Sequence, residues 1–149
     1  MKKIVELLTE KNRTISTMES CTGGCVVNEL TNVVGSSNVL SFSAVTYSDE
    51  FKIKMGVKEE IINKYTVYSM EVACEMSKKI SMFTNSDYGV GITGILDNNS
   101  SSNIVYISVY DRKNSKYINS LVKPSFDNRC DNKKMVVDEV YKMLLDILS

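Results

Sequence analysis

Glu19-Ser20-Cys21-Thr22-Gly23-Gly24 stands between two runs of different period. Before it, Ile15 to Met18 alternates as a short strand does; after it, Cys25 to Leu30 carries apolar residues at helical spacing. A strand that ends in Ser-x-Thr-Gly-Gly and turns into a helix does two things. Paired glycines let the backbone turn tightly and come close to a ligand. The helix start then offers unpaired N–H groups and a positive dipole end to an anion or a developing oxyanion. Ser20 and Thr22 add hydroxyls at the same point. The motif also has a purely structural reading, with Thr22 capping the helix and the glycines turning the chain.

Working outward, the 149 residues suit one domain with a core of its own. Residues 2–12 read as a helix, 13–19 as a strand and 22–32 as the helix after the glycine turn. Gly35-Ser36-Ser37 breaks that helix, and 38–48 alternates as a strand. Short helices follow over 49–54, with Ser48 or Asp49 as cap, and over 58–64. A longer helix spans 69–83 and a strand 87–93, whose Gly89 and Gly91 imply close packing on one side. After a loop over 94–102, strands 103–111 and 115–122 form a hairpin. A last helix runs from about Asp131 to Leu148. The expected architecture is a single three-layer α/β/α domain, with helices on both faces of a mixed sheet and an antiparallel hairpin near one edge.

Composition narrows the function. Lysine plus arginine and aspartate plus glutamate both number 18, so nothing argues for a nucleic-acid footprint or a membrane-surface role. No apolar run reaches the roughly 20 residues that span a bilayer. Glu6 and Glu10 interrupt what would be an export signal, and the cytoplasm is the expected location. Four cysteines without a second pair at ligand spacing read as small, buried, reduced thiols rather than a zinc site or a disulfide framework. The chain has no histidine. Ser-His-Asp triads, Cys-His pairs and imidazole metal ligands are therefore excluded. A serine that attacks anything here needs lysine, tyrosine or a carboxylate as base, and lysine serves only where burial or a nearby cation lowers its pKa. Hydroxyl and amine groups gather near predicted strand ends: Ser20, Thr22, Tyr47, Lys52 and Thr93. Ligands of open α/β sheets sit outside such carboxyl ends.

At larger scale the chain resembles the C-terminal domain of the CinA (competence/damage-inducible protein A) family. The resemblance rests on Glu19 to Gly24, Gly35-Ser36-Ser37, Val45 to Lys52, Gly56-Val57, Tyr65, Ser69 to Met76 and Thr93-Gly94-Ile95, in that order. Active members of that family deamidate nicotinamide mononucleotide to nicotinate mononucleotide and ammonia by a serine–lysine arrangement that uses neither metal nor cofactor. The resemblance implies Lys52 as general base and Tyr47 as the group that holds or relays the proton. It implies a serine nucleophile, Ser37 or Ser20, with Ser37 preferred because it leads into the strand ending near Tyr47. Ser20, Thr22, Gly23 and Gly24 would orient the ligand or form an oxyanion hole. Ser36, Thr93, Gly94 and Arg129 complete the implied substrate set, Arg129 pairing with a phosphate. A small-molecule nucleotide is the implied partner, and a homodimer is the expectation for a small enzyme of this kind.

The chain departs from that family after Thr93-Gly94-Ile95. A glycine-rich loop is replaced by Leu96-Asp97-Asn98-Asn99-Ser100-Ser101-Ser102-Asn103, and a second family arginine is Lys133. The catalytic set matches and the ligand-holding set is altered. The alternatives are therefore a non-catalytic nucleotide-binding or partner-docking module, and an amidase with a different substrate.

Overall fold

The computed structural model describes residues 1–149. Its helices are α1 (Lys2–Glu10), α2 (Cys25–Thr31), α3 (Asp49–Lys54), α4 (Glu59–Tyr65), α5 (Met70–Thr84) and α6 (Arg129–Leu148). Its strands are β1 (Ile15–Glu19), β2 (Ala44–Val45), β3 (Tyr88–Gly94), β4 (Val105–Asp111) and β5 (Lys116–Val122). They form one mixed sheet in the order β2-β1-β3-β4-β5. β2, β1 and β3 run parallel, while β4 pairs antiparallel with both β3 and β5, so the α/β sheet with a hairpin at one edge is as expected. No helix is long and apolar enough to cross a membrane.

Alternation along the strands assigns the two faces. Ile15, Val90, Ile92, Val105, Ile107 and Val109 face the larger core, with α1, α2 and α6 supplying Leu8, Val26, Leu30, Val136, Val140 and Leu144. Met18 faces the other way, into a smaller cluster with Val72, Met76 and Ile80 of α5. On that second face β3 offers Gly89 and Gly91, and α5 comes so close that a Cβ on either glycine would strike a helix carbonyl, of Ser77 or Ala73. The contact is finished by small hydroxyls, Ser77 Oγ donating to Ser108 Oγ at 3.1 Å. Backbone cannot retreat as a flexible side chain can, so Gly91→Ala is expected to cost about 3 kcal/mol. A urea-unfolding midpoint measures it.

Two expectations need correction. The strand read over 38–48 is only Ala44–Val45, preceded by a single 3-10 turn at Ser36–Asn38. Along this edge the Ile15 N–H is taken by the Val39 carbonyl and the Thr17 N–H by the Ser43 side chain at 3.0 Å. A hydroxyl thus replaces a ladder carbonyl, and the alternation of residues 38–43 never becomes regular pairing. The last helix begins at Arg129 rather than Asp131, because Asn128 caps it by accepting the Asp131 N–H at 2.8 Å.

Candidate functional site

The ends of β1, β2 and β3 open into a cleft of about 330 Å³. Its lining includes Ser20 and Cys21 after β1, Tyr47 after β2, Asp49 and Lys52 of α3, Tyr68, Gly94 at the end of β3, and Asp97 with Arg129. This is where ligands of parallel α/β sheets collect.

Lys52 is the chemical centre. Its residue is only 1% exposed, which is unusual for a lysine outside a functional or paired setting. Ser48 caps α3 by accepting the Phe51 N–H at 3.3 Å, which sets the helix phase that turns Lys52 inward. Its Nζ lies 2.9 Å from Ser20 Oγ and donates to the Thr46 carbonyl at 2.8 Å. Burial lowers the Lys52 pKa from its ordinary value, against the opposing pull of Asp49 and Cys21. An amine so placed can accept a proton from the hydroxyl it touches. Cys21 shares the cleft, yet burial pushes its thiol up to about 12, so it is an inert thiol at neutral pH.

Ser20 is held by the turn that follows it. The Ser20 N–H bonds to the Ile92 carbonyl at 3.0 Å, and the Gly23 N–H returns to the Ser20 carbonyl at 3.0 Å. Gly23 and Gly24 have φ of +63° and +94°, the left-handed region in which a Cβ is costly. Behind them the buried Glu19 carboxylate accepts from Thr22 Oγ1 at 2.7 Å, Thr17 Oγ1 at 3.2 Å, and the Val26 and Val27 N–H groups, both at 3.0 Å. Glu19 therefore occupies the start of α2 that sequence reading offered to a ligand anion. Neither Thr22 nor the paired glycines line the cleft; they build the turn. The amides of Cys21 and Thr22 make no hydrogen bond within the chain.

The preference for Ser37 is also corrected. Ser36 and Ser37 lie in the 3-10 turn beside Val39, whose carbonyl binds Ile15 at the start of β1. Ser20 follows the other end of that strand, roughly 16 Å away at the usual rise per residue. Lys52 meets Ser20 and not Ser37. Thr93 sits one layer behind the cleft, its Oγ1 donating to the Val67 carbonyl at 2.8 Å and so tethering the segment that carries Tyr68. Gly94 does line the cleft, where a side chain would strike the Ile104 carbonyl. Tyr47 is two-thirds exposed, and its hydroxyl faces Arg129 Nη2 at 3.4 Å rather than Lys52.

Arg129 is not free. Its Nη1 donates to Asp97 Oδ1 at 2.8 Å, and that hydrogen bond raises the guanidinium's already high pKa. Asn103 Nδ2 binds the Asp97 carbonyl and Asn99 Oδ1, both at 2.7 Å, closing the loop on itself. The buried Asn132 of α6 ties the same loop down by donating to the Leu96 carbonyl at 2.6 Å. Sequence reading missed Glu19, Asp49 and Asp97 as parts of the site. Glu19 directly precedes the Ser-x-Thr-Gly-Gly turn, and a carboxylate just before a helix start is the signal that points to it. Among the cysteines only Cys21 is fully buried, while Cys130 is exposed.

A family model described as the CinA C-terminal domain matches residues 1–148. A competence-damage inducible protein of Clostridium botulinum (strain Langeland) is 39% identical over 113 residues, 72% of this chain. The match spans only 28% of that longer relative. Among solved structures, the competence or damage-inducible protein from Enterobacter asburiae superposes with a TM-score of 0.91 at 25% identity, covering 99% of this chain and 95% of that one. The competence/damage inducible protein CihA from Agrobacterium tumefaciens gives 0.90 at 25% identity, covering 99% and 92%.

Proposed function

The chain belongs to the CinA C-terminal domain family, and within it we propose an amidohydrolase that deamidates a nicotinamide-type carboxamide. The family includes nicotinamide-nucleotide amidases, and the observation that carries the reading is the 2.9 Å contact between the buried Lys52 amine and Ser20 Oγ. Neutral Lys52 takes the Ser20 proton as Oγ attacks the carboxamide carbon. The resulting ammonium then protonates the departing nitrogen, and ammonia leaves an ester on Ser20. Lys52 next removes a proton from water, which attacks the ester and releases the acid. Carboxamide plus water yields carboxylic acid plus ammonia, with Ser20 and Lys52 restored. The unbonded amides of Cys21 and Thr22, directly after the nucleophile, are the donors available to the oxyanion.

Ammonia release from nicotinamide mononucleotide, nicotinamide riboside and simple amides tests this reading. The expected result is release from at least one pyridine carboxamide that Ser20→Ala abolishes. A purified protein that binds these compounds and never releases ammonia would instead be a binding module of the same fold.

A further inference from the structure

The cleft's charges do not suit a phosphate. Two carboxylates line it, Asp49 and Asp97, and its cations are Lys52 and Arg129. With Lys52 neutral, as a base must be, the lining sums to one net negative charge. Its remaining cation, Arg129, is already bound by Asp97 at 2.8 Å. Asp97 is not a stray side chain, because the bonds from Asn103 and Asn132 fix its loop against α6. The Lys133 ammonium lies over Gly23, outside the lining. Asp49 has no hydrogen-bond partner in the chain and is open to a ligand cation. Tyr47 and Tyr68 add two largely exposed aromatic rings to the same walls. Carboxylates beside aromatic faces recognise a flat cation. A phosphomonoester, carrying about two negative charges, would meet an Arg129 whose charge Asp97 already offsets and would lie beside that carboxylate.

We propose that the cleft takes an unphosphorylated, cationic carboxamide of the pyridinium-nucleoside class, and that Asp97, by holding Arg129, is the residue that turns the 5′-phosphate away. This rests on the amidase reading for the reacting end and goes beyond it at the other end.

The test uses the full chain with Ser20→Ala, so that binding is read without turnover. Calorimetric titration compares nicotinamide riboside with nicotinamide mononucleotide. The riboside is expected to bind about ten-fold more tightly, the factor commanded by one charge-assisted hydrogen bond. Adding Asp97→Asn frees Arg129, so mononucleotide affinity rises about ten-fold, and adding Arg129→Gln as well removes that gain. Mononucleotide binding as tight as the riboside, or a ratio that Asp97→Asn leaves untouched, would overturn the proposal. Failure of the amidase reading looks different: ammonia is absent from the Ser20-containing protein while the affinity ratio stands.

Discussion

Lys52→Met is expected to reduce ammonia release at least about 10³-fold while the protein stays folded. Methionine has nearly the length of the lysine stem and suits a buried site, so the change removes the amine with little change in packing. Ser20→Ala should give a loss of the same order. The double variant should be scarcely worse than either single one, because groups that act as a unit do not contribute separately. Independent losses that multiply would show that the amine and the hydroxyl do not work together. Circular dichroism and a urea midpoint confirm that each variant is folded. The pH dependence has a definite sign. Lys52 works as a base only when neutral, so kcat/KM rises with pH to a plateau. Because burial lowers its pKa, the midpoint lies below the roughly 10.4 of an ordinary lysine. Stability follows the same direction. The unfolded chain holds the Lys52 proton more tightly, so this contribution to stability is fully present above the unfolded value and is lost as pH falls through the folded one. Lys52→Met removes that component.

Glu19→Ala is the second large effect, and it is a loss of stability. Four donors converge on the Glu19 carboxylate, two threonine hydroxyls and the amides of Val26 and Val27. Truncation strands them in the interior, and the expected cost is at least about 3 kcal/mol. Glu19→Gln keeps the shape but turns an NH₂ group towards groups that themselves donate, so it should recover only part of that loss. Urea unfolding measures both. Since the same carboxylate anchors the turn after Ser20, the glutamine variant should also lose turnover while remaining folded. A fully active, fully stable Glu19→Ala protein would mean that the turn is held by something else.

Much of this was legible in the chain. The Ser-x-Thr-Gly-Gly stretch marks a strand-to-helix turn because left-handed backbone at Gly23 and Gly24 needs glycine. Gly89 and Gly91 announce a close helix, since a missing side chain in a strand has few other uses. The absence of histidine left lysine as a base to be weighed, and Lys52 lies one helical turn after Ser48, the cap of its helix. Other features depended on contacts across long stretches of chain. Ser20 and Ser37 look alike in sequence, and only the parallel pairing of β1 with β2 sends Lys52 to one and leaves the other at the far end of the strand. Asp97 reads as a turn former until α6 brings Arg129 to it across 32 residues. Thr22 reads as a helix cap, but Glu19 does the capping and Thr22 serves Glu19. A local pattern records which groups are present, and packing determines which of them meet.

Activation of Ser20 by the buried Lys52 amine is tested most directly, and without reference to any natural substrate, by a serine-directed sulfonyl fluoride. The rate of inactivation is followed against pH, and the modified peptide is identified by mass spectrometry. The expected adduct is on Ser20, formed at a rate that climbs to a plateau with a midpoint below about 10.4 and collapses in Lys52→Met. An adduct on Ser37, or labelling of Ser20 at the same rate with and without the amine, would contradict the account.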